Sequence, residues 1–193
     1  MTCYLVRHGK DDDTVRGGWS NSSLSHEGIQ QVISLSEYIY KHKDELKIAS
    51  LFSSDLPRAV QTATPISKAL NLEIQLMPEF RETNNGVLAG MPNDTANETY
   101  PGLYWGALEW TESYPQGESP CSFYTRIKTA WEQFSESISS QNQNVILVTH
   151  SGVINVIHSI VNGTAFSNKS KSAHIPYATM IPLNKPGSVW NMG

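Results

Sequence analysis

Two kinds of apolar pattern alternate along the chain. Short continuous runs, Cys3 to Val6, Ile48 to Ser53 and Asn144 to Thr149, read as strands buried on both faces. Leu72 to Leu76 and Ala178 to Leu183 add two more strands. Between them, apolar positions recur at helical spacing. Ile29, Val32, Ile33, Ser36, Ile39 and Tyr40 form one stripe. Ser25 is its expected N-cap, Leu24 and Ile29 its hydrophobic staple, and Lys41-His42-Lys43 its end, where cations suit the dipole. A second helix is expected to start with Asp55 as cap and Pro57 in its first turn, which carries Arg58. Thr64-Pro65 predicts a kink or short break in it. Phe123, Ile127, Ala130, Trp131, Phe134 and Ile138 make a third stripe, and Val153 to Val161 a fourth helix that stops near Asn162-Gly163. Strands alternating with helices predict an α/β fold, a three-layer sandwich with a mostly parallel sheet flanked by helices.

The alternation is interrupted once. From about residue 78 to 120 the chain is rich in glycine and proline and carries Tyr100, Tyr104, Trp105, Trp110 and Tyr114. This is expected to be a lid-like insertion beside a site, or an aromatic cluster packed on the core. With it, residues 1–193 fit a single domain. A net charge of -4 gives no basic field for nucleic acid or an anionic membrane. No apolar run has membrane-spanning length, and no leader of charged then apolar residues is visible. The two cysteines, Cys3 and Cys121, lack metal-type spacing and read as free thiols, so a cytoplasmic location is expected. Asp11-Asp12-Asp13 reads as a solvated turn.

The chemistry gathers at strand ends. The first strand runs into Arg7-His8-Gly9 and the strongest one into His150-Ser151-Gly152. In α/β sheets ligands lie just beyond the carboxyl ends of strands. Two imidazoles there, with the guanidiniums of Arg7 and Arg58, suit a compact polyanion such as phosphate. The helix that follows His150 adds backbone N–H donors at Ser151. A histidine in such a pocket can attack phosphorus, and a protonated carboxyl can release the alkoxide. Glu82, in Phe80-Arg81-Glu82 just after a strand, is the candidate acid. No Asp, Glu or Cys cluster joins the histidines, so no metal is expected.

These segments resemble the signature of a known family. Val6-Arg7-His8-Gly9, Arg58-Ala59 with Thr62-Ala63, Phe80-Arg81-Glu82 with Gly86 and Gly90, and Val148-Thr149-His150-Ser151-Gly152 are similar, in order, to the motifs of the histidine phosphatase superfamily, which includes phosphoglycerate mutases. The resemblance implies His8 as nucleophile, Glu82 as general acid and later base, and Arg7, Arg58 and His150 as phosphate ligands. It implies no metal or organic cofactor. The chain departs from the pattern after Gly9: Lys10 stands where an acidic or small polar residue is usual, and the loop is short, with Thr14 near the place of an asparagine that touches phosphate. Arg16 and Asn21 are candidate substitutes for that ligand.

The expected reaction is hydrolysis of a small phosphomonoester through a phosphohistidine, by a monomer or homodimer, with an acidic optimum. The alternatives are mutase-type phosphoryl transfer and a family member that binds phospho-ligands without turnover. From Glu82 to Thr125 there is no Lys or Arg but six acids, Glu82, Asp94, Glu98, Glu109, Glu112 and Glu118. Such a lid should repel a second phosphate, so a neutral, aromatic or cationic leaving group is expected.

Overall fold

The computed structural model describes residues 1–170, 174–184 and 191–192. Its strands are β1 (Thr2–Arg7), β2 (Ile48–Ser53), β3 (Ile74–Leu76), β4 (Asn144–Thr149), β5 (Met180–Asn184) and β6 (Asn191–Met192). Its helices are α1 (His26–Lys41), α2 (Lys43–Leu46), α3 (Pro57–Leu70), α4 (Asn93–Thr99), α5 (Pro120–Gln141) and α6 (Ser151–Val161). The sheet order is β3-β2-β4-β1-β5-β6. β1 to β4 run parallel, and β5 and β6 add an antiparallel edge beside β1.

Alternation along the strands builds the three layers. Cys3, Leu5, Val145 and Leu147 face α5 and α6, where they meet Phe123, Ile127, Trp131 and Phe134. Val6, Ile146 and Val148 face the other way, onto Ile39 of α1 and Ala59, Ala63 and Ile66 of α3. The central strands are therefore buried on both faces, as their unbroken apolar runs predict.

Several local expectations are corrected. α1 is capped by Ser25, which accepts from the Gly28 N–H, but its buried face is Gly28, Val32, Ser36 and Ile39. Ile29 and Ile33 are exposed, so no Leu24–Ile29 staple buries that face. Asp55 does not cap α3; its carboxylate binds Arg81 instead, and Leu56 stands at the cap position. α3 runs unbroken through Pro65. The carbonyl that Pro65 frees belongs to Gln61, an exposed residue, so water can satisfy it. β3 is shorter than expected, and Ala178 lies outside β5.

The insertion is ordered by short elements. Single helical turns at Pro78–Phe80, Gly86–Leu88 and Trp105–Ala107 flank α4. Leu88, Ala96, Leu108 and Tyr114 form its own small core. It is zipped to the loop after β1: the Arg16 N–H donates to the Met91 carbonyl, the Gly90 N–H to the Arg16 carbonyl, and the Asn93 N–H to the Thr14 carbonyl. The loop after His8 also lies hard against α1, because a Cβ on Gly28 would sit 1.9 Å from the Lys10 carbonyl oxygen. Gly28→Ala must push that loop away and should cost about 2–3 kcal/mol, read as a lower urea midpoint. Gly17→Ala, where a methyl meets nothing within 4 Å, should leave the midpoint in place.

Candidate active site

The β1–β4 register decides which side chains meet. Arg7 pairs with Thr149, so both strands end at one level, and the His8 N–H donates to the Thr149 carbonyl at 3.0 Å. The next residues, His8 and His150, bring their rings to a centroid distance of 5.0 Å. β2 lies on the other side of β4, so the start of α3 delivers Arg58 to the same edge.

His8 is 5 % exposed, and its Nδ1 lies 2.7 Å from the Gly9 carbonyl oxygen. A carbonyl only accepts, so Nδ1 carries the proton and Nε2 keeps its lone pair. His150 is fully buried; its Nε2 contacts the Ser54 hydroxyl at 2.9 Å, and its Nδ1 has no protein partner. Burial first, and the Arg58 charge second, hold both imidazoles well below their ordinary range. Both are therefore neutral near pH 7, the form a nucleophile needs.

Arg58 is 2 % exposed. Its guanidinium donates to the Gly18 carbonyl at 2.7 Å and to Ser20, and its Nε lies 3.3 Å from an Asp11 carboxylate oxygen. Asp11 thus departs from the expected solvated turn, while Asp12 and Asp13 remain exposed. Burial pushes the Asp11 carboxyl up, and Arg58 pulls it back. Arg7 donates to the Ile175 carbonyl, and its guanidinium stacks 3.6 Å from the Tyr177 ring centre. The same ring lies 5.7 Å from His8. Ala178 beside it takes φ 50°, a left-handed strain held by its bond to the His8 carbonyl.

Glu82 lies at the N-terminal end of α6. One carboxylate oxygen accepts from the Gly152 N–H at 3.0 Å, the other from the Thr83 N–H at 3.1 Å. A Cβ on Gly152 would fall 2.2 Å from that carboxylate, which gives Gly152 its physical reason. The Glu82 carbonyl accepts from the Trp19 indole and from Arg126. Arg126 also binds the Glu79 and Arg81 carbonyls and the Glu118 carboxylate, and so clamps the whole segment to α5.

Glu82, Ser151 and Arg16 line a cavity of about 540 Å³ whose apolar wall includes Tyr104, Trp105 and Tyr114. Arg16 is held there by Asn97 at 2.6 Å and by the Tyr104 ring, 4.4 Å from its guanidinium carbon. It is a wall residue and not a solvated cation. Lys169 also reaches the cavity rim, tied to Glu109. These cations come from outside the insertion, so its lack of Lys and Arg does not leave the cavity without positive charge. Asn21 and Thr14 are exposed and outside the cavity lining, and the Thr14 hydroxyl is spent on Asp12. Lys10 turns away to Glu27 at 2.8 Å. Among the described residues no group of His, Cys, Asp and Glu has the arrangement of a metal site.

Asp11, Ser54, Tyr177 and Arg126 were not legible as site residues. Only Ser54 carried a signal, its position at the tip of a buried strand beside Arg58. A model of the histidine phosphatase superfamily (branch 1) matches residues 3–191. A probable phosphoglycerate mutase of Escherichia fergusonii is 31% identical over 84% of this chain and 75% of its own length. A metal-independent phosphoserine phosphatase of Arabidopsis thaliana is 29% identical over 89% of this chain and 73% of its own. Among solved structures, YhfR of Bacillus stearothermophilus superposes with a TM-score of 0.84 at 20% identity, covering 99% of this chain and 94% of that one.

The buried neutral histidines make stability depend on pH. Unfolded imidazoles bind protons near pH 6.5, which the folded ones refuse. Their contribution is complete above that pH and is lost as pH falls below it, up to about 2 kcal/mol per histidine at pH 5. Urea midpoints should fall from pH 7 to 5, and the His8→Gln, His150→Gln double variant should flatten the fall.

Proposed function

The chain belongs to the histidine phosphatase superfamily (branch 1), and we propose that it hydrolyses a small phosphomonoester through a phosphohistidine on His8. The observation that carries this is the pairing of a neutral, Nδ1-protonated His8 with His150 and Arg58 at one sheet edge, beside a cavity lined by Glu82. Among the protein's relatives and structural neighbours are phosphatases acting on phosphoserine and on glucosyl-3-phosphoglycerate.

In the first step Nε2 of His8 attacks phosphorus and the ester P–O bond breaks. The leaving oxygen takes the proton of Glu82 in its protonated form. Arg7, Arg58 and His150, whose buried Nδ1 is free of protein partners, stabilise the charge spread over the phosphoryl oxygens. In the second step Glu82 takes a proton from water, the hydroxide oxygen bonds to phosphorus, and the P–N bond to His8 breaks. Phosphate leaves and His8 regains its lone pair.

The leaving group has the cavity of about 540 Å³ to fill. Tyr104 and Trp105 suit a sugar or aromatic body. Arg16, held by the neutral Asn97 amide and the Tyr104 ring, suits a group bearing negative charge or a strong acceptor. This replaces the expectation of a neutral or cationic leaving group. Mutase-type transfer has one observation in its favour, the phosphoglycerate mutase-like relatives, and a phosphoglycerate isomerisation assay separates it from hydrolysis.

A pulse of aryl phosphate quenched at alkaline pH should leave a phosphate-sized adduct on the peptide holding His8, seen by mass spectrometry and lost in His8→Ala. Absence of the adduct in a protein that turns over substrate would overturn the phosphohistidine. Arg16→Met should lower kcat/KM for esters with a carboxylate-bearing leaving group about tenfold more than for neutral ones. An equal loss for both would exclude Arg16 from leaving-group recognition.

A further inference from the structure

Arg58 is held at each of its three nitrogens. Two of its nitrogens are occupied by Gly18 and Ser20, and the third faces the Asp11 carboxylate at 3.3 Å. Arg58 is buried and Asp11 partly so, with side chains 2 % and 13 % exposed. A phosphoryl group that binds Arg58 therefore meets an anion already seated on it. Two anions on one largely buried guanidinium repel, and the cheapest relief is to neutralise one of them.

We infer that Asp11 is a phosphoryl-pocket residue, and that binding of a tetrahedral dianion at Arg58 takes up one proton, carried on Asp11. The inference rests on the proposed function, since it takes the His8, Arg58, His150 edge as the phosphoryl site. The protonated carboxyl keeps a donor, which it can give to a phosphoryl oxygen, so the contact turns from repulsion to hydrogen bond. The surroundings favour this protonation. Glu82 adds negative charge to Asp11 and burial disfavours its ionised form, while Arg58 and Arg7 oppose. His8 and His150, both close enough to Arg58 to feel its charge, are uncharged, while Asp12, Asp13, His26 and Glu27 line the open groove that Asp11 shares. Lys10, next in the chain, is turned onto Glu27 and Asp13, away from this pair. A dianion arriving at Arg58 tips the balance further towards the protonated form. The proton comes from solvent and returns there when the anion leaves.

Sulfate tests this, because it stays a dianion across the range used and contributes no proton of its own. Its binding to the full chain would be followed by calorimetry from pH 5 to 8, in two buffers of different ionisation enthalpy. Wild-type protein should bind much more tightly at pH 5 than at pH 8. Asp11→Asn should tighten sulfate binding at pH 8 by about tenfold and remove about one proton of the uptake. Asp11→Ser serves if the amide misfolds, and should give the same two changes. If both variants bind no tighter than wild type at pH 8, with unchanged proton uptake, Asp11 is only a structural counter-ion and the inference falls. If Arg58→Ala binds sulfate as well as wild type, the phosphoryl-site reading itself falls and takes this one with it.

Discussion

Everything at this site hangs on the parallel pairing of β1 with β4. The register that matches Arg7 to Thr149 ends both strands at the same height. A slip of two residues would keep the same faces buried but separate the imidazoles along the strand direction by about 7 Å. What holds the register is burial on both sides: Leu5 and Leu147 face one helical layer, Val6 and Val148 the other. The apolar core and the placing of His8 against His150 are thus one constraint. Thr149 ties a further element to it, since its hydroxyl donates to the Phe80 carbonyl and anchors the segment that leads to Glu82.

Around that edge the protein buries or half-buries charge, and Arg58, Arg126 and Glu82 each have a visible compensation. Arg58 has Asp11 and two backbone carbonyls; Arg126 has Glu118 and three carbonyls of the Glu79–Glu82 segment. Glu82 has the helix N-terminus. Desolvated ions without such partners would each cost several kcal/mol. The compensations also set rotamers, which is the kind of preorganisation that the proposed hydrolysis would use for charge stabilisation. The histidines are handled differently: burial beside Arg58 keeps them uncharged, and the Gly9 carbonyl selects the tautomer of His8.

The insertion takes part in both fold and site. Its small core of Leu88, Ala96, Leu108 and Tyr114 stabilises it, while Tyr104 and Trp105 turn to the cavity. Because it is zipped to residues 14–16, it also fixes Arg16. The two segments that build the cavity wall are thus held by backbone bonds to each other, so the cavity wall and the loop after His8 are mechanically linked.

The sequence alone determined the layers, the central strands and the buried stripe of α5, because burial on two faces leaves continuous apolar runs and burial on one leaves a period near four. It also determined His8, Arg58, Glu82 and His150 as the candidate set, since strand tips and helix starts are readable from the turn to polar and glycine residues. The stripe of α1 was misread because Ile29 and Ile33 are apolar yet exposed, and burial depends on the partner surface rather than on residue type. Only the tertiary structure decided that Asp11, and neither of its acidic neighbours, meets Arg58, that Arg16 belongs to the cavity, and that Tyr177 covers Arg7. Each of these contacts joins segments with no periodic relation in sequence. Their partners are chosen by how the loops pack, which no local pattern encodes.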